Sequence, residues 1–91
     1  VTRITLLTRS GCDLCEQAKT TLDRLQDQLG DVTVELVDVD TVEGQRLAGE
    51  TGMVFPPGLL VDGQAFSYGR LSERKLRRAL AGRPKLGDRR P

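Results

Sequence analysis

From Ile4 the chain reads Ile-Thr-Leu-Leu-Thr, a short apolar run rich in strand formers that suits a buried central strand. The period then changes. Leu14, Ala18, Leu22, Leu25 and Leu29 recur at spacings of three and four, with Glu16, Lys19, Asp23, Arg24 and Asp27 on the opposite face. That pattern predicts an amphipathic helix over residues 13–29, stopped by Gly30. Residues 32–40 alternate and then become more continuously apolar, which predicts a second strand, parallel to the first through a right-handed crossover. Asp40 or Thr41 is placed to cap a short helix through Leu47 to Glu50, closed by Gly52 and weakened by Gly44 and Gly49.

Phe55-Pro56-Pro57 cannot continue a helix and leads into Leu59-Leu60-Val61, then Asp62-Gly63, then Gln64-Ala65-Phe66-Ser67-Tyr68. An apolar run, Asp-Gly and a second strand-like run predict an antiparallel hairpin. On its second strand Phe66 and Tyr68 alternate with Ser67 and are expected to serve packing. Ser72, with Glu73 and Lys75 behind it, opens a last helix with Leu71, Leu76, Ala79 and Leu80 on its apolar side and Gly82 at its end. Residues 83–91, with two Pro, one Gly and four Lys/Arg, read as a frayed basic tail. The predicted order is β-α-β-α-β-β-α, one α/β domain over residues 1–82 followed by the tail at 83–91, with no internal repeat.

Length and charge narrow the classes of function. With 91 residues there is room for one core of modest depth. No run of about 18 apolar residues suits a membrane span, and no charged-then-apolar leader is visible, so a cytoplasmic monomer without a membrane partner is expected. The net charge of +1 conceals an asymmetry. Residues 1–69 hold five Lys/Arg against eleven Asp/Glu, whereas residues 70–91 hold nine against two. Much of the basic excess (Arg74, Lys75, Arg77, Arg78) falls on a helix face expected to be solvated. One Tyr and two Phe cluster at 55–68 rather than interleaving with the arginines, which argues against nucleic acid as a partner.

The chemistry lies in the run Thr8-Arg9-Ser10-Gly11-Cys12-Asp13-Leu14-Cys15, which holds the chain's two cysteines at the junction of first strand and first helix. A zinc site needs about four ligands, and two Cys with no His leave it short, so no metal is expected. A purely structural disulfide over so short a loop would stabilise by only about 2 kcal/mol. A redox dithiol fits better. Cys12 at a helix N-terminus faces unpaired N–H groups and the positive end of the helix dipole, both favouring the thiolate that attacks disulfides. Cys15, one turn on, is placed to resolve the mixed disulfide. Arg9 is expected to support the Cys12 thiolate, while the Asp13 carboxylate repels a second negative charge beside it.

The element order with its cysteine pair after the first strand resembles the thioredoxin fold and, in its minimal length, the glutaredoxins and glutaredoxin-like proteins, over residues 3 to about 81. Cys12-x-x-Cys15 carries the resemblance, with Pro57 at the position of the family's cis-proline, six residues before Gly63. Arg9 stands where glutaredoxins often carry a basic residue. The stretch from Phe55 to Leu71 is similar to a bacterial glutaredoxin-like subgroup. The resemblance implies a four-stranded mixed sheet flanked by helices. It also implies a dithiol–disulfide oxidoreductase acting on protein or low-molecular-weight-thiol disulfides.

No tightly bound cofactor is implied; a small thiol such as glutathione or mycothiol, or a reductase, would supply electrons. Arg9, Pro56 and Pro57 would contact the substrate. Two departures bear on which one. Glutaredoxins commonly have Pro-Tyr between the cysteines and Gly-Gly-x-Asp before the last helix, and this chain has Asp13-Leu14 and Tyr68-Gly69-Arg70-Leu71-Ser72-Glu73. Pro56 also lacks the N–H that would pair with an extended substrate, so glutathione specificity does not carry over on these residues. The rival reading is a non-catalytic thioredoxin-fold module whose basic C-terminus docks a partner.

Overall fold

The computed structural model describes residues 2–53 and 55–81. The tail expected over 83–91 and the helix stop expected at Gly82 lie outside them. In chain order the elements are β1 (Thr2–Thr8), α1 (Asp13–Leu29), β2 (Val32–Asp38), α2 (Val42–Thr51), β3 (Gly58–Val61), β4 (Gln64–Tyr68) and α3 (Glu73–Ala81). The strands form one sheet in the order β2-β1-β3-β4, with β1 parallel to β2, and β3 antiparallel to both β1 and β4. β1 starts two residues before its apolar run, because Thr2 and Arg3 pair with Val32 and Thr33 although their side chains are not buried.

Alternation along β1 divides the interior into two layers. Ile4 and Leu6 join Ala18, Leu22 and Leu25 of α1, Leu59 and Val61 of β3, and Leu76 of α3 in the larger cluster. Leu7 points the other way, into a smaller cluster with Val37, Val39, Leu47 and Met53. Each buried Leu or Ile contributes about 1.5–3 kcal/mol by leaving water. The smaller layer has one short helix over it. Leu29, placed on the apolar face of α1 by periodicity, is 41% exposed, since the larger cluster takes its last α1 residue at Leu25.

β2 ends two residues earlier than its pattern predicts. The Asp38 carboxylate accepts from the Asp40 N–H at 2.8 Å, and the Asp38 carbonyl accepts from the Thr41 N–H at 3.1 Å, which turns the chain. Thr41 is then the cap of α2, its hydroxyl accepting from the Gly44 N–H at 3.0 Å. Gly44 is buried, and a Cβ there would collide with the Asp38 and Val39 backbone. Its missing side chain is therefore what lets α2 close onto the end of β2. The hairpin turns at Asp62 and Gly63, both with positive φ, and Arg3 N–H donates to the Asp62 carboxylate at 2.9 Å. Ser72 opens α3, accepting from Lys75 N–H at its hydroxyl and Leu76 N–H at its carbonyl. Among the described residues no helix is long and apolar enough to cross a membrane.

Candidate active site

The βα crossover puts the N-terminus of α1 at the C-terminal end of β1, and the two cysteines sit in that turn. Cys12 is the N-cap of α1, with extended backbone angles (φ −105°, ψ 111°) and a carbonyl that accepts from Glu16 N–H at 3.1 Å. Its sulfur occupies the place of a capping oxygen, accepting from the Cys15 N–H at 3.1 Å. Cys15 is fully buried on the inward face of α1, in line with Ala18 and Leu22, whereas Cys12 is partly exposed. The two sulfurs lie at disulfide distance, with Cα atoms 5.2 Å apart.

Charges around the turn are mixed. Asp13 and Glu16 occupy the first turn of α1, where acidic groups favour the helix. Glu16 is held by Lys19 at 3.0 Å, and Asp13 is exposed. Arg9 is also exposed and makes no ion pair or hydrogen bond among the described residues. Among the described residues no three His, Cys, Asp or Glu side chains converge in a way that could hold a metal ion.

The second wall comes from β3. Leu7 pairs with Gly58, so the preceding residue, Pro57, enters the sheet beside Thr8, at the strand end that leads to Cys12. The peptide bond between Pro56 and Pro57 is cis; Pro57 is buried and Pro56 is half-buried. The Pro57 carbonyl accepts from the Gly69 N–H at 2.8 Å, and the Phe55 ring meets Tyr68 edge-on at 5.2 Å between centroids. Residues 55–57 are thereby fastened to the end of β4, which brings the β4–α3 connection to the cysteine end of the sheet. Phe66 is half-buried against the larger core cluster as expected, whereas Tyr68 is 49% exposed and meets the Phe55 ring rather than the core.

One polar group escaped the sequence reading. The Thr8 hydroxyl is buried with no hydrogen-bond partner among the described residues. By the alternation of β1 it shares the face of Ile4 and Leu6, toward α1. A threonine directly after Leu6-Leu7, at the end of the apolar run, was the available signal. The cross-strand tie from Gly69 to Pro57 had none, because the two residues are brought together only by β3–β4 pairing.

A sheet of this order with a cysteine pair at the N-terminus of its first helix defines a thioredoxin-fold protein. Solved structures agree. Thioredoxin O2 of Arabidopsis thaliana in its oxidized state is 19% identical with a TM-score of 0.69, over 89% of this chain and 73% of that one. Oxidized mitochondrial thioredoxin 3 of Saccharomyces cerevisiae is 21% identical with a TM-score of 0.67, over 88% and 76%. A point mutant of the thioredoxin of Halobacterium salinarum NRC-1 is 26% identical with a TM-score of 0.68, over 86% and 70%. The chain itself belongs to the glutaredoxin-like domain family (DUF836), whose model matches residues 3–81. No curated protein matches it.

Proposed function

We propose that this protein is a dithiol–disulfide oxidoreductase that reduces protein or small-thiol disulfides. The observation that carries the reading is the division between the cysteines: a partly exposed Cys12 capping α1, and a buried Cys15 one turn inside. The Cys12 thiolate attacks one sulfur of the substrate disulfide, forming a mixed disulfide and releasing the other half as a thiolate. The Cys15 thiolate then attacks the Cys12 sulfur, closing the Cys12–Cys15 disulfide and releasing the second half. Two electrons pass from the dithiol to the substrate, and a small thiol such as glutathione or mycothiol, or a reductase, returns them.

Burial gives the steps their order. A substrate reaches Cys12 first, and the Cys15 sulfur has only its neighbour to attack. The Cys15 N–H and the end of the helix dipole favour the Cys12 thiolate. Arg9, exposed three residues ahead, adds a positive charge at the mouth. Pro57 and Pro56 form the wall along which an extended substrate lies, with no N–H to offer it.

Reduction of insulin and of a small mixed disulfide by the wild type, Cys12→Ser and Cys15→Ser tests this reading. Cys12→Ser should abolish turnover, and Cys15→Ser should accumulate a mixed disulfide visible by mass spectrometry. Absence of exchange with glutathione, mycothiol and a thioredoxin reductase alike would leave the non-catalytic module as the correct reading.

A further inference from the structure

Among the described residues β4 is the outer strand of the sheet, and no strand lies beside one row of its backbone N–H and C=O groups. A groove of about 530 Å³ is lined by residues of this strand and of α3, among them Phe66, Tyr68, Arg70, Ser72, Lys75 and Arg78. Among the described residues three cations and no carboxylate line it. Lys75 and Arg78 share one side of α3, while Arg74, also exposed and without an ion pair among the described residues, lies outside the lining. On the other side Glu73 receives Arg77 at 2.9 Å and Arg24 from α1 at 2.5 Å, and Arg77 also bonds Gln28. Arg46 and Lys19 are likewise paired with glutamates. Arg70, Lys75 and Arg78 are exposed and have no ion-pair partner among the described residues.

The groove also has a direction. Tyr68 and Gly69 lie at the end of β4 fastened to Pro57, so its upper end opens toward the cysteines. From there Lys75 and Arg78 follow one another by one turn of α3, away from the dithiol. An open strand edge accepts an extended polypeptide by backbone pairing, and a file of unpaired cations beside it selects acidic side chains. A nucleic-acid strand fits less well, because Tyr68 is already packed edge-on against Phe55 and Phe66 against the core.

We propose that the groove between β4 and α3 docks an extended acidic segment of a protein partner, held by Arg70, Lys75 and Arg78 and led by the β4 edge toward Cys12. The proposal rests on the redox reading for the purpose of docking, but its test does not need turnover.

The test measures binding of a fluorescein-labelled, cysteine-free peptide of alternating Glu and Ser to the full chain by anisotropy. Three proteins are compared: the wild type, a groove variant carrying Arg70→Glu, Lys75→Glu and Arg78→Glu, and a tail variant carrying Arg83→Glu, Lys85→Glu and Arg89→Glu. Circular dichroism checks that each is folded, and reduction of a small disulfide checks the dithiol separately. The groove variant should bind at least about tenfold more weakly, with small-disulfide reduction retained, and the tail variant should stay within about threefold of the wild type. Peptide binding should slow hydrogen exchange of the β4 amides. Equal losses in both variants, wild-type binding by the groove variant, unchanged β4 exchange, or tighter binding of a short oligothymidylate than of the peptide would each overturn the proposal. Absence of small-disulfide reduction by the wild type, with peptide binding intact, would instead remove the redox reading alone.

Discussion

Reduction of the Cys12–Cys15 pair should change the stability of the fold by only about 1 kcal/mol near neutral pH. Two effects of similar size oppose each other. Closing a loop of four residues removes chain entropy from the unfolded state worth about 2 kcal/mol, against about 3 kcal/mol for a loop of fifteen. Opening it frees the Cys12 sulfur as a thiolate at the N-cap of α1, where the Cys15 N–H points at it from 3.1 Å. A hydrogen bond to a charged acceptor contributes about 1.5–3 kcal/mol, and the helix terminus about 0.3–1 kcal/mol more.

The second effect depends on pH. Protonation removes the thiolate, and the stabilisation it draws from the Cys15 N–H and the helix terminus is lost with it as the pH falls. The oxidised form should therefore gain on the reduced form as the solution is acidified. Urea unfolding of both forms across the pH range, with a phosphine reductant for the reduced one, reads the difference directly. If the oxidised form exceeded the reduced form by 3 kcal/mol or more near neutrality, with no dependence on pH, the pair would be a staple and the thiolate argument would fail.

Asp13→Asn should raise the thiolate fraction of Cys12 in an absorbance titration, since it removes a negative charge from the residue beside the nucleophile; an unchanged titration would show that the carboxylate points away. The same substitution should cost α1 about 0.3–1 kcal/mol through its lost first-turn acid. Thr8→Val should leave stability unchanged or raise it by up to about 1 kcal/mol, as it replaces an unpaired buried hydroxyl with a methyl group; a loss measured in urea, or a slower Cys15 attack, would mean that the hydroxyl finds a partner in the reduced state. Glu73 is held below the usual carboxylate range by hydrogen bonds from Arg24 and then Arg77. Its contribution is full above the ordinary carboxylate value and fades as the pH falls through the lowered one. Glu73→Gln should thus lower the urea midpoint at neutral pH, and the two proteins should converge in acid.

What could be read in the chain was whatever depends on neighbours in sequence. Ala18, Leu22 and Leu25 marked the face of α1 by spacing alone, although Cys15 rather than Leu14 begins it, and Asp62-Gly63 marked the hairpin because its turn requires positive φ at both positions. Cys12 and Cys15 needed only the strand-to-helix change around them to be read as a dithiol. What could not be read depends on residues that meet across the fold. Gly44 looked like a flaw in a short helix until the backbone of Asp38 and Val39 appeared against it. Arg77 and Lys75 look alike in sequence, yet one faces Glu73 while the other faces an open groove, because α1 supplies Arg24 and Gln28 on one side only.

The positive end of α1 is contested, and the contest bears on how a substrate arrives. Asp13 and Glu16 favour the helix from its first turn, while Cys12 needs the same end for its thiolate. A sequence tuned for the thiolate alone would leave that turn free of acids. With them in place, an acidic partner approaching over α1 meets like charge, and one approaching along β4 and α3 meets Arg70, Lys75 and Arg78. On the docking proposal, Asp13 would bear on partner choice as well as on the thiolate. Asp13→Asn should raise the rate with neutral small disulfides through the thiolate, and raise it further with acidic protein disulfides by opening the second approach. The ratio of the two increases, followed as salt is added, separates the contributions: screening removes the effect on approach and leaves most of the effect on the thiolate beside it.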